Sequence, residues 1–238
     1  MRGRDIKRYS YNWCNLYVVL AYYGSHKILE VEHPAIYRHL FSYKKQLEVR
    51  GQCRYTSSGK PNKNPTAGYP GQHHWLELDN NPTLEKLEDF SKPKVMWAET
   101  MRIRRENTER FPRFSYTTKP FFSDKTCFIA VGEDLKYILA FLNSTFGRYQ
   151  FSQTVSMMDN GGYLMQKIYV EQIRVSKLTK AKQIKLISLV DCLLDTTREQ
   201  LHEAIEDQID TMVFEAFEID ETEQRYLKEI LSRPLDGR

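Results

Sequence analysis

The chain has 238 residues, of which 41% are hydrophobic and 28% are charged. This balance is typical of a folded chain with a core, and it excludes general disorder and collagen-like repetition. The most apolar stretch, residues 16–23, is far shorter than the ~18–20 apolar residues that a bilayer crossing needs, so we expect no membrane partner. Because no apolar run of signal-peptide form follows the charged residues 1–8, we expect a cytoplasmic protein.

The formal net charge of +4 is unevenly distributed along the chain. Residues 1–178 hold 27 Lys and Arg against 17 Asp and Glu, whereas residues 179–238 hold 8 against 14. A basic part followed by an acidic part predicts two modules, and we expect the first to bind a polyanion. A solvated basic surface without a partner is the alternative, and charge alone does not decide between the two.

The first predicted elements are a strand and a helix. Residues 16–23 are β-branched and aromatic and end at Gly24, which predicts a buried strand. Pro34 predicts the start of a helix, since proline at the first helical position loses no hydrogen bond. Apolar residues then recur at helical spacing as far as Gly51, which predicts the end of that helix.

Residues 52–73 form a segment of different composition. They contain three prolines and three glycines, carry Arg54, Lys60 and Lys63, and contain no acid. Loops of this length inside a compact domain are commonly binding segments. The segment therefore predicts a binding loop, with a flexible insertion as the alternative.

An arginine-rich segment lies between two predicted strands at residues 94–97 and 126–131. Aromatic residues, Phe111 and Phe114, are interleaved with its arginines, which are Arg102, Arg104, Arg105, Arg110 and Arg113. Arginine pairs with phosphate and aromatic rings stack on bases, so this segment predicts nucleic-acid contact. An exposed strand edge would have a similar composition.

The remaining pattern predicts mostly helices. Residues 134–149 have apolar residues at helical spacing, residues 157–163 carry a turn signal, and residues 167–170 alternate as a strand does. From residue 179 onward the apolar pattern is that of a long amphipathic helix or helical hairpin with an acidic outer face.

A capping-box variant at Asp220 and Glu223 predicts a final helix that ends near Leu231. Strands followed by helices predict an α+β (mixed α/β) fold, with a mixed sheet, flanking helices and a helical carboxyl-terminal module. We place the boundary between the modules near residues 176–179.

No catalytic motif is complete in the sequence. A glycine-rich cofactor turn, an Asn-Pro-Pro-aromatic tetrapeptide and a phosphate-cradling loop are all missing. Asp134 and Lys136 follow a predicted strand, which leaves a nuclease as an alternative. Cys53 lies 20 residues before His73, but two further closely spaced ligands are missing, so we expect no metal site. We expect this chain alone to have no catalytic residues.

Taken in chain order, several segments resemble the TaqI-like specificity domain, which lies at the carboxyl end of adenine-specific DNA methyltransferases and fused type II restriction–modification enzymes. The matching segments are Gly-Arg-Asp-Ile-Lys-Arg-Tyr at 3–9, His-Pro-Ala-Ile-Tyr-Arg-His-Leu at 33–40, Trp-Leu-Glu-Leu at 75–78, Lys-Pro-Lys-Val at 92–95, Tyr-Ile-Leu-Ala-Phe-Leu-Asn-Ser at 137–144, and Ile-Asp-x-Met-Val-Phe at 209–214. The chain departs from that family at residues 172–175, which lack the usual prolines, and in its long basic segment 52–73.

This resemblance implies that residues 1–178 are a target-recognition domain for double-stranded DNA. It implies that residues 179–238 pack against a methyltransferase catalytic domain or subunit. S-adenosylmethionine, with Mg²⁺ where the parent enzyme also cleaves, would belong to that partner, and this chain would hold no cofactor. A nuclease or a protein-interaction module of a phage-defence complex is the alternative.

In such a domain, phosphate contacts fix the register and a few side chains read base edges. The predicted phosphate contacts are Arg4, Lys7, Arg8, Arg54, Lys60, Lys63, Arg102, Arg104 and Arg105. Gln153 and Asn160 are predicted to read bases. Asp5 is predicted to be a salt-bridge or turn residue rather than a DNA contact.

Overall fold

The structure is a computed structural model that describes residues 1–64, 66, 68–80, 83–102, 111–158, 162–196 and 199–232. Its contacts divide the chain into two compact units. The sheet unit consists of Met1–Leu16 and Asp89–Arg238, and the inserted unit consists of Tyr17–Glu88. The basic segment 52–73 thus belongs to the inserted unit.

Short helices make up the inserted unit. They are α1 (Leu29–Glu32), α2 (Pro34–Ser42), α3 (Lys44–Leu47) and α4 (Gly51–Arg54), with α5 (Leu84–Asp89) at its end and a 3₁₀ turn at Ser25–Lys27. Pro34 is the first residue of α2, as predicted. The prediction of one helix from Pro34 to Gly51 is wrong, because α2 ends at Ser42 and Gly51 begins α4.

The apolar segment 16–23 is not the buried strand that its composition predicts. Tyr17 is 83% exposed and Val18 is 54% exposed, whereas Ala21 is buried. The Ala21 carbonyl accepts a hydrogen bond of 2.8 Å from the backbone of Leu78. A buried strand needs neighbouring strands for its backbone groups, and within the described residues no strand pairs with this segment.

Two small antiparallel sheets lie in the sheet unit. The strands are β1 (Lys94–Ala98), β2 (Thr100–Arg102), β3 (Phe114–Thr117), β4 (Cys127–Val131) and β5 (Gly162–Leu164). One sheet has the order β3-β1-β4, and the other pairs β2 with β5. The strands predicted at residues 94–97 and 126–131 are confirmed as β1 and β4.

The helices of the sheet unit follow the predicted pattern in part. They are α6 (Leu135–Asn143), α7 (Thr145–Thr154), α8 (Lys167–Val170), α9 (Lys180–Asp195), α10 (Glu199–Ala216) and α11 (Glu221–Ser232). The helix predicted at residues 134–149 is interrupted at Ser144, whose hydroxyl caps α7 by accepting a hydrogen bond of 2.9 Å from the Gly147 backbone. The strand predicted at residues 167–170 is wrong, because these residues form α8. Among the described helices, none is both long and apolar enough to cross a bilayer.

The helices α9 and α10 pack into the same core as the sheets. Trp97 lies against Phe114, which stacks on Phe151 with ring centroids 5.6 Å apart. Leu186 and Val190 of α9 are fully buried in this cluster, and α9 and α10 pack against α6 and α7. The mixed α+β fold is confirmed. The module boundary predicted at residues 178/179 does not coincide with a boundary between the two compact units. That residues 179–238 are a separate functional module stays a prediction.

The carboxyl-terminal helix begins as predicted. Its cap is reciprocal, because the Asp220 carboxylate accepts from the Glu223 backbone at 2.9 Å and the Glu223 carboxylate accepts from the Asp220 backbone at 2.9 Å. This exchange satisfies backbone donors that the first turn of a helix leaves without partners.

A buried amide ties the amino-terminal segment, β3 and α6 together. The Asn143 side chain is fully buried, and it both accepts from the Phe114 backbone N–H and donates to the Phe114 carbonyl at 3.0 Å. The same carbonyl accepts a second hydrogen bond, of 2.9 Å, from the backbone of Tyr9. One backbone group therefore joins three elements of the sheet unit.

We predict that Asn143→Ala lowers the free energy of unfolding by about 1–3 kcal/mol, because the buried Phe114 N–H loses its acceptor. Urea unfolding measures the change. Gln153→Ala removes an exposed amide on α7 and serves as the control, with an expected change within about 0.5 kcal/mol. Equal stability of the Asn143 and Gln153 variants would contradict the role assigned to Asn143.

Candidate nucleic-acid interface

A cleft of about 710 Å³ lies in the sheet unit beside β1 and β2. Its cationic lining residues are Arg2, Arg4, Lys7, Arg102 and Arg113, and its acidic ones are Glu99 and Asp124. Gly3, Ile6, Ala98, Thr100, Thr126 and Met158 complete the lining. Cations are in clear excess in this concave surface, and such a surface attracts anions.

The amino-terminal turn is fixed to the sheet by a close backbone contact. Gly3 is buried in a 3₁₀ turn, Gly3–Asp5, and its N–H donates to the Thr126 hydroxyl at 2.9 Å. A β carbon on residue 3 would lie 2.4 Å from the Thr126 carbonyl oxygen. Only glycine fits at this distance, and the contact places Arg2 and Arg4 at the cleft.

Asp5 is a salt-bridge and turn residue, as predicted. Its carboxylate accepts from the Arg2 guanidinium at 2.8 Å, from the Arg2 backbone at 3.0 Å and from the Cys14 thiol at 3.2 Å. Burial raises the pKa of the Asp5 carboxyl, but the hydrogen bonds from Arg2 outweigh it and lower the pKa to about 2. Asp5 therefore stays ionised and holds the Arg2 side chain in place.

Three of the predicted phosphate contacts lie together at the cleft. Arg4 and Arg102 are exposed, and within the described part of the chain neither forms an ion pair. Lys7 is half-buried at the same cleft. The side chains of Arg4 and Arg102 are therefore the most available cations of this surface.

Two cleft arginines were not among the predicted contacts. Arg113 is mostly buried and donates to the Arg102 carbonyl at 3.2 Å, which connects it to the end of β2. Arg2 is adjacent to the buried Gly3. Two features of the sequence could have identified these residues. Arg113 lies among the interleaved arginines and aromatic residues, and Arg2 directly precedes the Gly-Arg-Asp segment at residues 3–5.

The prediction for Arg8 needs correction. Its guanidinium donates to the Glu206 carboxylate at 2.7 and 3.0 Å and to the Pro112 carbonyl at 3.1 Å. The Arg8 side chain is only 14% exposed. Because it already satisfies a buried acid on α10, Arg8 joins two parts of the sheet unit and is not available to a phosphate.

The other predicted contacts do not line this cleft. Arg54, Lys60 and Lys63 are exposed on the inserted unit, where the Arg54 guanidinium lies 5.4 Å from the centroid of the Tyr55 ring. Gln153 is exposed on α7 and donates to the Ser152 hydroxyl at 3.2 Å. The three remaining predicted residues lie outside the described residues, and they are Arg104, Arg105 and Asn160.

The geometry at Asp134 and Lys136 does not resemble a nuclease centre. Lys136 forms an ion pair with Asp191 of α9, and its ammonium lies 5.2 Å from the Tyr116 ring. Asp134 is the residue before α6 and has a left-handed backbone conformation. The lysine therefore stabilises the packing of α6 on α9 instead of facing a shared site with Asp134.

The sequence matches no protein-family model and no curated protein.

We predict that the stability supplied by Asp5 disappears in acid. The pKa of Asp5 is about 2 in the folded chain and 3.8 for the ordinary group, so the ionised form stabilises the fold fully above about pH 4 and ceases to do so as the pH falls to 2. Urea unfolding of the parent chain and of Asp5→Asn should show a difference at pH 7 that shrinks toward pH 2. A difference that does not change with pH would contradict the assignment.

Proposed function

We propose that this chain recognises double-stranded DNA and acts as the specificity domain of an adenine-specific DNA methyltransferase or fused restriction–modification enzyme. The observation that carries the proposal is the cationic cleft, which brings Arg4, Lys7 and Arg102 together. Phosphate contacts of this kind supply most of the non-specific affinity of DNA-binding proteins and fix their register.

The cleft supports a phosphate role better than a base-reading role. Arginine side chains at its rim pair with phosphate oxygens through two parallel hydrogen bonds. The acids Glu99 and Asp124 in the same lining repel phosphate and so limit where the DNA backbone can lie. Base reading would then fall to other loops, among which we keep Gln153 and Asn160 as proposed readers.

In this proposal the chemistry is supplied by a partner. A methyltransferase catalytic domain or subunit would bind S-adenosylmethionine and flip the target adenine out of the duplex. The chain itself contributes DNA binding and choice of sequence. We assign no catalytic residue to it.

A second candidate function is protein interaction through the inserted unit. Large apolar side chains are exposed there, including Tyr17, Tyr23 and Val31, which are 83%, 62% and 81% exposed. Exposed apolar patches commonly mark surfaces for protein partners. In the proposed specificity domain, these side chains are a candidate contact for the catalytic partner in addition to residues 179–238.

We predict that binding to duplex DNA depends strongly on salt. If about five phosphates are neutralised, the logarithm of the affinity falls with the logarithm of salt with a slope near −4.5, and a fourfold rise in salt weakens binding roughly 500-fold. Fluorescence anisotropy at several salt concentrations measures the slope. An affinity that is indifferent to salt would exclude the phosphate contacts.

We predict that the double variant Arg4→Ala/Arg102→Ala reduces the magnitude of this slope by about 2 and weakens all duplex sequences alike, because two phosphate contacts are lost. Arg225→Ala is the matched control, since Arg225 is exposed on α11 and does not line the cleft. The control should keep the parent slope. If both variants changed the slope equally, the cleft would not be the binding surface.

A further inference from the structure

The two edges of the three-stranded sheet differ in how they are covered. At one edge, the amino-terminal segment lies along β3, because the Tyr9 N–H donates to the Phe114 carbonyl at 2.9 Å. The hydroxyls of Tyr11 and Thr117 lie 3.3 Å apart in the same contact. At the other edge, β4 has β1 as its only strand neighbour among the described residues. Within the described part of the sheet, the outer edge of β4 is therefore open.

The hydrogen bonds beside β4 show which of its backbone groups point outward. The Glu99 N–H donates to the Thr126 carbonyl at 2.9 Å, so Thr126 and every second residue after it direct their backbone groups toward β1. The residues between them direct theirs away from β1, and these are Cys127, Ile129 and Val131. The Cys127 N–H bonds within the preceding turn, but no described backbone group bonds to the other outward groups.

The sequence of β4 gives this edge no protection. Its residues, Cys-Phe-Ile-Ala-Val at 127–131, include no charged residue and no proline. Ala130 is exposed, and its two neighbours are half-buried. Proteins usually protect an edge strand with charges, prolines or bulges, because its open backbone groups otherwise pair with a further strand. An uncharged edge of this kind is suited to strand addition.

An apolar cavity of about 430 Å³ follows the same edge. Consecutive residues of a strand point to opposite faces, yet residues 128–131 of β4 all line the cavity. Of β1, only Val95 and Trp97 line it, and these two share one face. The cavity therefore reaches both faces at the outer edge of β4. Its other walls come mainly from apolar residues of α6 and of residues 170–175, so it can accept apolar side chains of an added strand.

We propose that two copies of this chain associate through β4, whose strands pair antiparallel about Ile129 and join the two sheets into one. The outward-pointing residues are centred on Ile129, so this register pairs Ile129 with its counterpart and Cys127 with Val131 of the second copy. Antiparallel pairing of one edge with itself is self-complementary, as a two-fold dimer requires. The exposed Ala130 would lie opposite Phe128 of the second copy, on the face that Val95 and Trp97 share.

Charges at the two ends of β4 favour a second copy as the occupant of this edge. Lys125 precedes the strand and Glu133 follows it, each four residues from Ile129, and both are exposed. The antiparallel register about Ile129 brings Lys125 of one copy beside Glu133 of the other at both ends of the pair. A strand of another protein would match these charges only by chance, whereas a second copy matches them at both ends at once.

Sedimentation of the full chain over a range of concentrations tests the association. The mass should rise from that of one chain to that of two, and Ala130→Lys should keep it at one chain, because a lysine on an edge strand opposes strand addition. Exchange of the Ile129 and Val131 amide hydrogens should slow on association. A chain that stays monomeric up to about 1 mM, or a dimer in which these two amides exchange as in the monomer, would overturn the proposal.

A swap of the two end charges tests the register and does not depend on how well the edge variant folds. Lys125→Glu and Glu133→Lys should each weaken association about tenfold at low salt, because each places like charges together at both ends. The double variant Lys125→Glu/Glu133→Lys should regain the parent affinity. Lys185→Glu, which changes an exposed lysine on α9, is the control for net charge and should associate as the parent does. Single variants equal to this control, or a double variant as weak as the single ones, would contradict the proposed pairing.

The association and the proposed function fail separately. Neither Lys125 nor Glu133 lines the cationic cleft, so the proposed pairing does not rest on DNA binding. A chain that stays monomeric and binds duplex DNA would contradict the dimer alone. A dimer that binds no duplex DNA would contradict the proposed function alone.

Discussion

The cleft depends on one close contact between two backbones. Gly3 packs against the end of the sheet at Thr126 with no room for a β carbon, and this contact sets the position of the amino-terminal turn. Arg2 and Arg4 flank the glycine, so their side chains are placed by the same contact. Arg102, the last residue of β2, also lines the cleft. The concentration of cations is thus a consequence of how the turn docks on the sheet.

Pairing with acids then separates the cations of this unit into two groups. Arg2 is held by Asp5, and Arg8 by Glu206, so both are committed to the fold. Exposed arginines without such a partner keep their hydrogen-bonding capacity for an anion, and Arg4 and Arg102 are in this position among the described residues. A low-dielectric concave wall strengthens the field of such charges, which favours the proposed binding of DNA phosphates.

The sequence predicted two kinds of feature. Some have a long apolar periodicity, and others depend on residues that are close to them in the chain. The helices α9 to α11 and the Asp220–Glu223 cap are of these kinds, and so is the Asp5 salt bridge, whose partner is three residues away. Short apolar runs were ambiguous, because a strand exists only where another strand pairs with it. Residues 16–23 have no such pairing among the described residues, and residues 167–170 form a helix instead.

Long-range partners decided the roles that the sequence could not. Nothing in the Gly-Arg-Asp-Ile-Lys-Arg segment distinguishes Arg4 from Arg8. Glu206, the acid that pairs with Arg8, lies 198 positions further along the chain. Likewise, the side chains of Cys53, His73 and Asp79 lie close together in the fold, and their spacing in the sequence does not indicate it.

The most direct measurement is chemical modification of arginines in the presence and absence of duplex DNA. Phenylglyoxal would be added to the full chain, and the modified positions would be quantified by mass spectrometry. Binding at the cleft predicts that DNA slows modification of Arg4 and Arg102 several-fold and leaves Arg225 unchanged. Equal modification of Arg4 and Arg102 with and without bound DNA, at a DNA concentration that saturates the chain, would contradict the proposed interface.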